Sequence, residues 1–220
     1  MNALTVAVIL NEGMMVGVKL GSTEPWHGNI IYEVNGTTIR IAYMDKFMKN
    51  VAVPGCPVWI KYSNDNFFYY FSGTVKSIST EPPEYVLVKI DTAEELINNR
   101  LFPRYDVRLK ASLKPVWDNE FYPCTVTDLS YGGAAFTCAH RFDSNEQVEI
   151  YLNLPGDITV KLTGKVKRSK SSQSALTDCA VQFIECDTAC SRPLSEYFLQ
   201  LEDEASEIYH HYVKDIRGKL

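Results

Sequence analysis

The sequence predicts a mainly β protein: two small antiparallel barrels in series, followed by a C-terminal α-helix. Three observations carry this. Short runs of β-branched and aromatic residues, punctuated by turn residues, recur from Asn29 to Ile90 and again from Tyr105 to Cys186. Between them "DTAEELINNRLFPR" (91–104) breaks the strand pattern. From Ser191 the apolar spacing turns helical, at Leu194, Phe198, Leu201, Ala205, Ile208 and Tyr212. The boundary falls near Asn98, which predicts a first domain over 1–97 and a second over 98–220.

In the first half, "NIIYEVNGTTIRIAY" reads as two strands joined at Asn35-Gly36, a hairpin signal for a type I′ turn with positive φ at both positions. "PVWIKY" and "FFYYFSGTVKSI" follow as strands, with "SNDN" as the turn between them. "EPPEY" interrupts and "VLVKI" resumes. Five or six strands of this length suit a small barrel or sandwich. Asp91 or Thr92 can cap a single helical turn over "DTAEELINN", and Pro103 biases Phe102 away from the helical region, so Arg100 to Arg104 is expected to be extended or irregular. In the second half the strand candidates are "YDVRLKASLKPVW", "FYPCTVTDLS", "GAAFTC", "QVEIYLNL", "ITVKLTGKVKRS" and "ALTDCAVQFIEC". The terminal helix is expected to lay its stripe on this second barrel.

The chain has 220 residues, 45% hydrophobic and 22% charged, with a net charge of −5. That balance supports a real core and argues against a broad DNA- or RNA-binding face. No run reaches the eighteen or so apolar residues of a membrane span. "MNALTVAVILNEG" has no Lys or Arg ahead of its apolar stretch, so it reads as a first strand and not as a secretory signal. A cytoplasmic protein is expected. The six cysteines form no C-x-x-C pair. They read as reduced, mostly buried thiols, with zinc at Cys179, Cys186 and Cys190 as the minor alternative. His27, His140, His210 and His211 lie in no catalytic pattern, and "GSTEPW" is no phosphate loop, so an enzyme is not expected.

Two stretches stand out chemically. In an extended chain Arg100 and Arg104 point the same way, roughly 13 Å apart, which suits a ligand of dinucleotide size. Arginine binds phosphate as a fork, reads guanine and stacks on bases. Alone, the pair reads as an ordinary charged linker, because two arginines four apart occur by chance in many proteins. "DLSYGG" (128–133) reads as a strand end and turn, with Asp128 capping, Ser130 bonding locally and the glycines at positive φ. It also reads as a guanine site: a carboxylate accepts both N1–H and N2–H, Ser130 can bond a nucleotide oxygen, and Gly132 or Gly133 lets the backbone come close.

In order, R-x-x-x-R at Arg100 and Arg104, D-x-S-x-x-G at Asp128, Ser130 and Gly133, and G-x-V-x-R at Gly164, Val166 and Arg168 resemble the PilZ domain, the cyclic di-GMP receptor module. The likeness covers about Asn98 to Leu220. The first half is similar, by order and pattern alone, to the N-terminal split barrel of flagellar-brake receptors of the YcgR type. The resemblance implies a six-stranded PilZ barrel and an N-terminal arm that wraps the ligand. Arg100 and Arg104 would contact phosphate and guanine, Asp128 and Ser130 would read guanine or ribose, and Gly133 with Gly132 would shape the loop. Arg168 would line the site or remain a solvated strand residue. Arg108 reads as structural. It further implies a receptor that changes its interdomain arrangement and acts on the flagellar motor or stator. Asn99 stands where many members carry another arginine, which favours one ligand per chain. Ala180 stands where the family tends to have glycine, and its methyl could crowd the pocket. The alternatives are a degenerate PilZ-like interaction module that binds no nucleotide, and a nucleic-acid-binding barrel.

Overall fold

The computed structural model describes residues 3–21, 24–44, 48, 52–171, 176–186 and 188–217. They divide into two units, one of residues 1–99 with 203–220 and one of residues 100–202.

The first unit holds a closed barrel of β1 (Met15–Leu20), β2 (His27–Asn35), β3 (Thr38–Ala42), β4 (Pro57–Ser63), β5 (Phe67–Ser79) and β6 (Tyr85–Ile97), in the order β1-β2-β3-β6-β5-β4. Alternation drives it. Val16, Val18 and Leu20 of β1 point inward with Ile39, Ile41, Val58, Ile60, Phe71, Val86 and Val88. Fully burying each such side chain stabilises by about 1.5–3 kcal/mol.

Three local readings change in this unit. The N-terminal stretch is a helix, Ala3–Ile9, not a strand. In a strand Val6, Val8 and Leu10 would share one face. Here Val6 and Leu10 are buried while Val8 is 72% exposed, and the Leu10 amide donates to the Val6 carbonyl at 2.8 Å. The "DTAEELINN" stretch is not a helical turn but the end of β6, paired with β5 from Thr92↔Ser72 to Ile97↔Phe67. Asp91 accepts from Thr74 at 3.2 Å rather than capping, and the Thr92 and Ser72 hydroxyls lie 2.6 Å apart. A ladder against the aromatic "FFYY" run outweighs a one-turn cap. The hairpin after β2 turns on Gly36 and Thr37, with Asn35 paired to Thr38. Gly36 has φ 60° and neither Asn35 nor Thr37 is at positive φ, so only the first central position is left-handed, the type II′ pattern.

The second unit holds β7 (Tyr105–Pro115), β8 (Tyr122–Ser130), β9 (Gly133–Cys138), β10 (Gln147–Leu154), β11 (Ile158–Ser171) and β12 (Thr177–Cys186) in a closed barrel ordered β10-β11-β12-β9-β8-β7. All six are the strands the sequence predicts. Leu113, Val126, Phe136, Val148, Ile150, Leu162 and Val181 fill it. On its outside, Lys161 at 2.7 Å and Lys114 at 3.1 Å hold the Glu149 carboxyl down to about 2.

The C-terminal helix runs from Thr188 to His211 and continues as a π-helical turn, Tyr212–Ile216. Its expected single stripe divides. Leu194 and Phe198 enter the core of the second unit, with Leu201 beside them. Ala205 is exposed. Ile208, Tyr212 and Ile216 instead join Ile30, Tyr32 and Ala42 of the first unit, where Tyr212 stacks on Tyr32 at 5.7 Å. The exposed polar run 202–207 separates the two apolar parts.

Cys124, Cys138 and Cys179 are buried in the second barrel. Burial pushes the Cys124 and Cys179 thiols up to about 12, which keeps them protonated and unreactive. Among the described residues no His, Cys, Asp and Glu group is placed to hold a metal. The Cys186 and Cys190 side chains of the zinc alternative lie outside the described residues.

Candidate functional site

Residues 98–104 have no regular secondary structure, which is the expectation for Arg100 to Arg104. Asn99 and Arg100 on this arm are exposed, and Arg104 immediately precedes β7. Arg108 lies within β7 and is exposed. The arm is held to the second barrel at two points. Arg104 Nη1 lies 3.7 Å from Asp128 Oδ2, with side-chain exposures of 44% and 26%. Phe102 leans over Gly132 and packs against Tyr131, with ring centroids 6.2 Å apart. Arg104 and Asp128 are therefore neighbours, and the carboxylate partly balances the positive potential that the arginine carries.

Asp128 stands near the end of β8, opposite Asp106 of β7 and Ala135 of β9. Ala135 pairs with Ala180 of β12, and Ala180 with Arg168 of β11. The four strands β8, β9, β12 and β11 thus carry one transverse row, Asp128–Ala135–Ala180–Arg168. Its neighbours Leu129, Ala134, Phe136, Cys179 and Val181 are buried in the core, while Asp128, Ala135 and Ala180 are only partly covered and Arg168 is exposed. The row faces out. At the usual strand spacing its ends lie roughly 14 Å apart along the sheet. Two methyl groups between an acid and a base make a shallow floor, and Ala180 is part of that floor. β11 and β12 shift register between Val166 and Arg168, which re-aims Arg168.

The D-x-S-x-x-G segment closes the β8–β9 hairpin. Ser130 is buried, and its hydroxyl donates to the Gly133 carbonyl at 3.1 Å, the local role that the residue type allows. Neither glycine is at positive φ, so the turn reading fails on that point. They are needed for close approach. A Cβ at Gly133 would lie 2.3 Å from the Val181 carbonyl oxygen, and one at Gly132 would lie 3.0 Å from Phe102 Cδ2. The Gly132 carbonyl accepts from the Phe183 amide at 3.1 Å.

Four aromatic residues to which the sequence assigns no part in the site belong here. Tyr131 packs on Phe198 at 4.3 Å, and Phe198 on Tyr105 at 5.2 Å. The Tyr105 hydroxyl donates to Glu202 at 2.6 Å, and burial, then that acceptor, raises its pKa well above the ordinary tyrosine value. Phe102 sat in plain view between the arginines, but nothing local says which surface it meets. A groove of about 280 Å³ in the first unit, lined by Tyr32, Tyr43, Met44, Ile208 and His211 among others, contains none of the candidate residues.

Residues 98–200 match the family model described as the PilZ domain. Among solved structures the chain is similar to Escherichia coli YcgR in complex with c-di-GMP, with 16% identity over 93% of this chain and 91% of that one and a TM-score of 0.47. It is also similar to the Bacillus subtilis inhibitor of motility MotI/DgrA (16% identity, 89% and 99% covered, TM-score 0.44) and to the K. pneumonia MrkH–c-di-GMP complex (16% identity, 88% and 89% covered, TM-score 0.43). No curated protein matches the sequence.

Proposed function

Residues 98–200 are a PilZ domain, and from that premise we propose that the protein is a cytoplasmic cyclic di-GMP receptor. The observation that supports this most is the Arg104–Asp128 pair, set at the acidic end of an outward row whose other end is Arg168. The ligand carries two guanines and two phosphates in a ring. Arg100 and Arg104 supply forked donors for phosphate and a plane on which guanine stacks. Asp128 accepts the N1–H and N2–H of one guanine. The Ala135 and Ala180 methyls leave room for the ring, and Arg168 closes the far side. Asn99 offers no guanidinium to stack on a second ligand molecule, so one ligand binds per chain.

Isothermal calorimetry on the full chain tests this. Cyclic di-GMP is expected to bind at sub-micromolar to micromolar strength with a stoichiometry of one. Asp128→Ala is expected to reduce the preference for guanine over adenine cyclic dinucleotides, because each charge-assisted hydrogen bond is worth about 1.5–3 kcal/mol. No heat and no competition at high micromolar ligand would leave a protein-interaction module that binds no nucleotide. Saturation at two per chain would contradict the role given to Asn99.

We further propose that binding changes the arrangement of the two units and that the flagellar motor or its stator reads the change. The chain passes from the first unit to the second at Asn99–Arg100, within the arginine arm. Ligand contacts made by the arm therefore bear directly on that connection, and a ligand shifts such an equilibrium by its differential affinity for the two arrangements. Small-angle scattering of the full chain is expected to differ with and without saturating cyclic di-GMP. Superimposable curves would rule the switch out.

A further inference from the structure

We propose that Phe102 is a positioning residue: an aromatic latch that seats the arginine arm on the second barrel before ligand arrives. This rests on the receptor reading above. The arm could reach its site from a freely moving state, and every residue then ordered on binding would cost conformational entropy. In the structure the arm rests on the barrel through Phe102. The Phe102 ring lies against the Cα of Gly132, so close that a Cβ there would stand 3.0 Å from Cδ2 and 3.4 Å from Cε2. The same ring packs against Tyr131. Tyr131 is itself fixed from behind by Phe198, which is 1% exposed and belongs to the barrel core. The platform is thus backed by the core, and the latch sits two residues from both Arg100 and Arg104.

The neighbouring Leu101 shows what the arm does without such a seat, for it is 92% exposed against 46% for Phe102. Phe102 is too exposed to be a main support of the fold. Its contacts are with the glycine and tyrosine of the D-x-S-x-x-G segment, whose Asp128 is the partner of Arg104. Gly132 is therefore glycine to admit the ring, since its own backbone is not left-handed. Apparent affinity is proportional to the fraction of molecules whose arm is seated, so loosening the latch weakens binding without touching any group that contacts the ligand.

The test is a double-mutant cycle read by calorimetry with cyclic di-GMP on the full chain. Phe102→Ala is expected to weaken binding about three- to tenfold, the range an aromatic contact supports, with no change in melting temperature or stoichiometry. Phe102→Tyr is expected to restore binding, and Leu101→Ala to change nothing. In an Arg104→Ala background, where the seated arm has lost a main ligand contact, the effect of Phe102→Ala is expected to shrink below about twofold, as coupled residues do. Hydrogen exchange of the ligand-free protein is expected to quicken over residues 98–104 in Phe102→Ala. Equal or tighter binding by Phe102→Ala, or a loss of the same size in both backgrounds, overturns the proposal. If the wild type itself binds no cyclic di-GMP, the receptor reading fails separately. The exchange experiment then decides the latch alone, and equal exchange in wild type and Phe102→Ala overturns it.

Discussion

Gly133→Ala is expected to destabilise the second unit by about 3 kcal/mol, combining overpacking with disturbed ladder hydrogen bonds. A methyl at this position would lie 2.3 Å from the carbonyl oxygen of Val181 and 3.3 Å from the Cα of Gln182. Both are backbone atoms of β12, which pairs with β9 through Gln182↔Gly133 and Val181↔Ala134. A flexible side chain could swing away. A strand that also pairs with β11 cannot move without disturbing two ladders. The adjacent Gly132→Ala makes the control, because its methyl would meet only the Phe102 ring edge at 3.0 Å. That ring can give way by a few tenths of an ångström, so the expected cost is under about 1 kcal/mol. Denaturant unfolding of both variants, followed through the second barrel, checks this. Equal destabilisation would mean that backbone crowding is not what excludes a side chain at Gly133.

Arg104→Ala is expected to weaken cyclic di-GMP binding by roughly tenfold or more, the loss of at least one charge-assisted contact. It is expected to leave stability almost unchanged. The Arg104–Asp128 pair is half exposed on the arginine side and 3.7 Å long, and such surface pairs are worth about 0–1 kcal/mol. For the same reason breaking the pair costs an incoming ligand little. A phosphate that accepts forked hydrogen bonds from the guanidinium can replace a single long contact to a carboxylate. Calorimetry and thermal melting on one preparation separate the two effects. A large fall in melting temperature with unchanged affinity would assign Arg104 to the fold and remove it from the site.

Much of the molecule was legible from the chain alone. Tyr105 to Cys186 resolved into the six observed strands because inward residues such as Val148, Ile150 and Leu152 alternate with polar ones, and one buried face imposes that period on any strand of a barrel. The order of Arg100, Arg104, Asp128, Ser130 and Gly133 pointed to the same domain that the family match covers. Where competing local signals were short, the chain could not decide. Val6 and Leu10 fit either period while Val8 shares their face only in a strand, and only the surface that received Val6 and Leu10 made the segment a helix. Asp91 and Thr92 look like a cap, yet β5 offered their segment a full ladder of partners. The glycines of the D-x-S-x-x-G segment suggest positive φ, the commonest local reason for glycine, or close approach of backbone to a ligand. Their reason is instead contact with Val181 and Phe102, which lie 48 and 30 residues away along the chain. The terminal helix carried one continuous apolar stripe, which says that it packs but not on what. Its division between two cores, with Phe198 in one and Tyr212 in another, depends on which partners the folded chain brings near. Periodicity is written into neighbouring residues, whereas close approach is a property of two distant segments together, and only the tertiary structure holds both.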